Sequence, residues 1–226
     1  MKIPHKFEML VHNGLVDEVI SQLMSGKEAE VYVVRSMGKL CCAKVYKDAD
    51  NRSFSKQAQY QEGRKGRNSR QARAMGKNSR YGRKEQEGAW QNAEVDALHR
   101  LAAAGVRVPQ IFSYVGGILL MELVVDDNGN TAPRLNDVKL TGTQAREYHR
   151  ALIAQIVLML CAGLVHGDLS EYNVLVGSDG LVIIDLPQAI DAAGNNNAAG
   201  MLERDVANIT AYFGRFAPDL LATDYG

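Results

Sequence analysis

Between Arg52 and Lys84 the chain contains no leucine, isoleucine or valine, and its many basic residues face a single acid, Glu62. Such a stretch cannot bury enough apolar surface to offset the entropy lost on ordering. Residues 50–84 are therefore expected to form a flexible basic loop, partly helical at most, and the core must be built from what lies on either side. At 226 residues the chain has enough material for a core without disulfide or metal staples. It suits one domain or two closely joined lobes.

Other global features exclude more than they assign. Formal net charge is zero, so total charge does not point to a nucleic-acid or membrane partner. Cys41, Cys42 and Cys161 are odd in number and two are adjacent, which argues against a disulfide framework or a structural zinc. Sparse cysteines fit a reducing compartment. The first residues, Met1 to Lys6, lack the apolar run of a signal peptide. The most apolar segment, Leu152 to Val165, contains Gln155 and is too short to span a bilayer, so it reads as a buried core helix. These features predict a cytoplasmic protein.

Hydrophobic patterning divides the chain further. Met9 to Leu23 is predicted helical in its first part, with a break near Asn13-Gly14. Val31 to Val34 and Leu40 to Tyr46, joined around Met37-Gly38, read as a hairpin. Order is expected to resume at Trp90, where Val95, Leu98 and Leu101 fall at helical spacing up to Ala104-Gly105. Ile111 to Val115 and Ile118 to Val124, separated by Gly116-Gly117, predict a second hairpin. Asp126 to Pro133 is a polar linker and a natural lobe boundary. After it, Thr143 to Ala162 and Ala198 to Phe216 predict helices. Short strands are expected at Asn173 to Val176 and Leu181 to Ile184. The expected class is α+β, with an N-terminal antiparallel sheet lobe (about 1–124) holding one main helix and a mostly helical C-terminal lobe (about 134–226).

Chemistry concentrates in the second half. His166-Gly167-Asp168-Leu169-Ser170-Glu171-Tyr172-Asn173 precedes the apolar run Val174 to Val176. An Asp and an Asn five residues apart before a strand have the spacing of a phosphoryl-transfer catalytic loop. One carboxylate meets the accepting hydroxyl, and one amide oxygen reaches a magnesium ion. The plainer reading is a loop with an Asx turn. Asp185 ends the run Ile183-Ile184 and can share that metal, since hard magnesium takes carboxylate and amide oxygens with phosphate; otherwise it caps a turn. Lys44 lies inside the apolar run Ala43-Lys44-Val45-Tyr46. A strand lysine and a glutamate on the next helix form the ion pair that aims the lysine at nucleotide phosphates. Glu94 is preferred to Glu85 and Glu87, because Leu98 and Leu101 follow at four and seven residues on its face. Ser25-Gly26-Lys27-Glu28-Ala29-Glu30-Val31 is a turn with one glycine, neither G-x-G-x-x-G nor the Walker sequence, and gains meaning only from its place before Lys44.

Together these residues resemble the RIO family of atypical protein kinases. Residues 25–32 match its phosphate-loop pattern, and Lys44 in Ala-Lys-Val-Tyr-Lys its nucleotide-binding lysine. Residues 166–173 are similar to its catalytic loop, 183–188 to its metal loop, and Glu203 to Ile209 to the helix that follows. The resemblance runs from about Ile20 to Phe216. It implies a single bilobal, protein-kinase-like domain over 1–226. The absence of a long domain before Ile20, together with the basic loop, favours the Rio-one type and a compact member of bacterial or archaeal kind, with bacterial preferred.

The resemblance also implies the mechanism. Glu122 and Val124 would lie in a hinge that holds adenine through the backbone, with Met121 at the back of the pocket. Ser25 and Lys27 would cover the phosphates that Lys44 contacts. Asn173 and Asp185 would hold Mg2+, with Mn2+ as an alternative. Asp168 would be the catalytic base. In this family Asp185 can itself accept the phosphoryl group, giving an aspartyl-phosphate and ATPase behaviour. The expected cofactor is ATP, and the expected partners are a protein substrate and the chain itself, as a serine kinase. An alternative is an ATPase switch that binds ribosomal RNA or a ribosome-assembly particle through 52–84, whose clustered cations would neutralise phosphates. No membrane partner is expected. Ala189 to Ala199 is too short for a peptide-binding platform, and no Ala-Pro-Glu motif follows Asp185.

Overall fold

The β-branched and aromatic residues of the N-terminal runs place them in strands, and short turns rich in glycine join those strands. The computed structural model describes residues 5–47 and 80–223, with side chains of the second span described from residue 92. Residues 48–79 lie outside it, and with them most of the expected basic loop. The described residues form two compact units. One is drawn from residues up to 47, from 80 to 96 and from Pro109–Leu123. The other is drawn from Ala97–Val108 and from Val124 onward.

The first unit opens with α1 (Lys6–His12), which buries Phe7 and Leu10 on one face and stops at Asn13. Strands β1 (Glu18–Ser25), β2 (Ala29–Ser36), β3 (Lys39–Tyr46), β4 (Ile111–Val115) and β5 (Ile118–Glu122) form an antiparallel sheet in the order β1-β2-β3-β5-β4. At the β2–β3 turn Met37 and Gly38 both take positive φ, 49° and 75°. That pair matches the backbone twist a two-residue hairpin requires.

Alternation along β3 decides which face each side chain takes. Cys41, Ala43 and Val45 join Phe7, Leu10, Tyr32, Val34, Ile118 and Leu120 in one apolar cluster. Phe7 meets Tyr32 edge-on at 5.3 Å. Each large side chain buried there contributes about 2 kcal/mol relative to exposure. Cys42, Lys44 and Tyr46 therefore occupy the opposite face of β3. Cys42 pairs with Met121 across β5, so Met121 shares the Lys44 face. Both faces of β3 are covered, which is why Cys41 to Tyr46 is buried without a break. Burial pushes the Cys42 thiol up to about 12, and all three cysteines are free.

Helix α2 (Arg80–Ala103) starts ten residues before the expected Trp90. The expected loop is thus helical over its last residues, 80–84. Gly105, with φ 82°, ends the turn after it.

In the second unit, α3 (Gly142–Cys161) begins with a capping box: the Thr141 hydroxyl and the Gln144 side chain each satisfy the other's backbone N–H. The expected buried helix over Leu152 to Val165 is corrected in two respects. The helix ends at Cys161, where Gly163 takes φ 74°, and Leu164–Val165 forms a short strand, β6. Val157 and Leu160 are exposed, so the segment is apolar without being buried all round. Strands β7 (Val174–Gly177) and β8 (Gly180–Ile183) form a hairpin, and β9 (Ile190–Asp191) pairs with β6. Helix α4 (Ala198–Gly214) stops two residues before the expected Phe216. It packs on α3, where His149 meets Phe213 edge-on at 5.8 Å. The α+β class stands: a five-stranded antiparallel sheet towards the N-terminus and helices towards the C-terminus. No described helix is long and apolar enough to cross a membrane.

Candidate active site

Two sets of polar side chains stand out, one in each unit. In the first, the Lys44 ammonium donates to Glu94 Oε1 at 2.7 Å, with the two residues 7% and 2% exposed. Of the three glutamates weighed from the sequence, the described partner is Glu94. The register of β3 and the helical phase of α2 bring them together: Lys44 faces away from the α1 cluster, and Glu94 lies four residues before Leu98 on a buried face. Taking two charges out of water costs more than such a pair usually returns. A buried Lys–Glu pair is therefore poor evidence of stabilisation and better evidence of a job for the lysine.

Ser25 ends β1, and the turn to β2 closes by Gly26 N–H donating to the Ala29 carbonyl at 2.9 Å. A Cβ at Gly26 would sit 3.3 Å from that same carbonyl, which explains the glycine. The Lys47 ammonium donates to the Gly26 carbonyl at 2.7 Å, while Lys27 is exposed. Glu122 ends β5; its N–H donates to the Gln110 carbonyl, and its side chain accepts from the Gln110 N–H. In the second unit, the Val124 carbonyl accepts from Ala132.

The second set lies on two braced loops. Asp168 is exposed and follows Gly167, whose φ of 82° requires glycine. Asn173 Nδ2 donates back to the Asp168 carbonyl at 2.8 Å. Its own carbonyl accepts from Ile184 N–H at 2.9 Å. His166, 2% exposed, donates from Nε2 to the Ile184 carbonyl at 3.1 Å and accepts the Asp168 N–H at Nδ1. When neutral, the ring must therefore carry its proton on Nε2. Asp185 comes next and holds φ 65°, a left-handed conformation that a non-glycine residue keeps only when its surroundings impose it. These bonds tie the backbone of the Asp168–Asn173 loop to the segment carrying Asp185.

The donor set fits a hard divalent ion. With Nδ2 turned to the Asp168 carbonyl, Asn173 presents Oδ1 on its other side, and Asp185 adds an exposed carboxylate. Magnesium is commonly held by one or two protein oxygens plus phosphates and water. Among the described residues no three His, Cys, Asp or Glu side chains gather as a metal site.

Three residues to which the sequence assigned no role support these sets. Asp205 of α4, 1% exposed, accepts Gly167 N–H at 2.8 Å and Leu169 N–H at 3.0 Å. Burial pushes its carboxyl up, against His166, the two N–H groups and Arg204. Arg204 donates to the Gly167 carbonyl. The Tyr46 hydroxyl donates to Glu94 Oε2 at 2.5 Å. A buried acid on the predicted final helix was the available signal for Asp205. For Tyr46 the signal was its place two residues after Lys44, on the same face.

Comparison with known proteins finds relatives over most of the chain. Residues 30–225 match the RIO domain model. The chain is 30% identical over 212 residues to the serine/threonine-protein kinase rio1 of Schizosaccharomyces pombe, covering 91% of this chain and 40% of that protein. It is 41% identical over 138 residues to the RIO-type serine/threonine-protein kinase Rio1 of Haloferax volcanii, covering 58% of this chain and 44% of that protein. Against the human serine/threonine-protein kinase RIO1 it is 30% identical over 215 residues, 92% of this chain and 35% of that protein. The chain thus spans less than half the length of these relatives. With most of its length matched by the domain model, and with the motif residues placed on braced loops, the chain belongs to the RIO domain family.

Proposed function

We propose that this chain transfers the γ-phosphoryl group of ATP to a serine hydroxyl, on a protein substrate and on itself, as a single RIO kinase domain. The observation that carries the reading is the bracing of the Asp168–Asn173 loop to Asp185 through Ile184. That bracing holds Asp168, Asn173 and Asp185 on one backbone framework, which supports reading them as a base and two metal-directed oxygen donors.

Each residue then has a task. Lys44, oriented by Glu94, contacts the phosphates, and Ser25 and Lys27 cover them from the turn. Met121, on the Lys44 face, backs the adenine. The backbone groups of Glu122 and Val124 hold adenine. Asn173 Oδ1 and the Asp185 carboxylate would hold magnesium, or manganese in its place, which lowers the charge felt on the phosphates. Asp168 accepts the proton of the attacking hydroxyl.

A second course uses the same residues. The Asp185 carboxylate attacks the γ-phosphorus, the bond to the β–γ bridging oxygen breaks, and ADP leaves. Water then hydrolyses the acyl phosphate to the free carboxylate and inorganic phosphate. This course suits an ATPase switch on ribosomal RNA or a ribosome-assembly particle, a reading favoured by the basic composition of 52–84.

Both courses need Asp185. In Asp185→Asn, magnesium-dependent ATP turnover is expected to fall at least about a hundredfold, the size of loss seen when one fixed electrostatic partner is removed. Turnover at the wild-type rate in that variant would remove the metal assignment.

A further inference from the structure

Tyr46 closes β3 two residues beyond Lys44 and is fully buried. Its hydroxyl takes Glu94 Oε2 at 2.5 Å while Lys44 takes Oε1 at 2.7 Å. The carboxylate is thus divided, one oxygen to a phenol and one to an ammonium. The Tyr46 ring also lies 5.6 Å from the Lys44 nitrogen. Tyr114 braces the ring edge-on at 6.3 Å, and the Lys6 ammonium holds the Tyr46 carbonyl at 2.8 Å. The phenol is therefore fixed on several sides, and its hydroxyl is aimed at one oxygen.

Lys44 has to serve two anions, a glutamate within the fold and phosphates on a ligand. A carboxylate free to rotate would offer the ammonium both oxygens and draw it inward. A phenol donating to one oxygen blocks that rotation and withdraws charge from the carboxylate. We propose that Tyr46 is a positioning residue that restricts Glu94 to a one-oxygen hold on Lys44 and so keeps the ammonium available to nucleotide phosphates. This rests on the ATP-binding role given to Lys44 above. The competing view is that Tyr46 merely fills space and satisfies its own hydroxyl.

The test is a cycle of wild type, Tyr46→Phe, Glu94→Gln and the double variant, read by ATP titration and steady-state turnover. In Tyr46→Phe the KM for ATP is expected to rise roughly tenfold, the worth of one charge-assisted hydrogen bond. Its kcat stays within about twofold, because uniform binding of the phosphates is what is lost. In the Glu94→Gln background, removing the Tyr46 hydroxyl has no further effect on ATP affinity, since the group it acts through has lost its charge. A space-filling role instead leaves KM and kcat of Tyr46→Phe near wild type, since phenylalanine keeps the ring, and any small loss it causes appears in full in the Glu94→Gln background. Should Tyr46→Phe not fold, 3,5-difluorotyrosine incorporated at position 46, which keeps the shape and alters the donor, decides: a changed KM for ATP at unchanged kcat supports the inference, and an unchanged KM overturns it. A wild-type chain that binds no ATP overturns the functional reading and this inference with it. Wild-type binding with an unchanged KM in Tyr46→Phe overturns the inference alone.

Discussion

Two backbone amides of the Asp168 loop, Gly167 N–H and Leu169 N–H, find their acceptor 38 and 36 residues along the chain, in the carboxylate of Asp205. Buried amides without a partner cost about 1–3 kcal/mol each. Asp205→Ala is therefore expected to lower stability by about 2–5 kcal/mol in urea unfolding. ATP turnover should fall with it, as Asp168 loses its anchored neighbours. Asp205→Asn keeps one acceptor oxygen and should fall between the two; a urea midpoint for Asp205→Ala equal to that of wild type would remove Asp205 from this role. The residue scale is also where sequence reading was most uneven. Lys44, Glu94, Asp168, Asn173 and Asp185 could be picked out because their spacing repeats a chemical need along the chain. Asp205 and Tyr46 could not, because their meaning lies in a partner dozens of residues away.

At the scale of elements, α3 and α4 meet through His149, whose ring is 5% exposed and lies 3.3 Å from the Thr210 hydroxyl. Burial lowers its pKa below the ordinary 6.5. The unfolded chain thus takes up this proton first as pH falls. The stability associated with a neutral His149 is fully present above about 6.5 and is lost as pH drops from there towards the lowered folded value. Thermal melts from pH 7.5 to 5 should show this loss, and His149→Gln should flatten it. An unchanged slope would place the pH dependence elsewhere. Element boundaries show what periodicity can and cannot reveal. The run Leu40 to Tyr46 reads as a strand because both its faces are covered. Strand β1 had no such signature: it is an edge strand with two register shifts, and Ile20, Leu23 and Met24 are exposed. Strands β6 and β9 are two residues each, too short to show a period. The polar start of α2, with Gly82 and Gly88, hid ten helical residues.

For the whole molecule, Lys44 and Glu94, proposed to serve the phosphates, belong to one compact unit, and Asp168, Asn173 and Asp185, proposed to hold the metal and take the hydroxyl proton, belong to the other. The α+β class and the family were legible because several motifs appear in order along most of the chain. The two compact units change over at Leu123 and Val124, ahead of the polar linker at Asp126 to Pro133, and Ala97–Val108 groups with the second of them. The basic stretch has the least to say about the fold, since its composition describes solvation rather than packing. Both sets of residues are proposed to serve one reaction. Incubation with ATP labelled at the γ-phosphate, with magnesium, followed by acid and hydroxylamine treatment, tests it most directly. Wild type is expected to retain acid-stable label on serine. Asp168→Ala should lose that label by at least about a hundredfold, the share of a general base, while binding ATP within about threefold of wild type. Wild-type labelling of serine in Asp168→Ala would contradict the account.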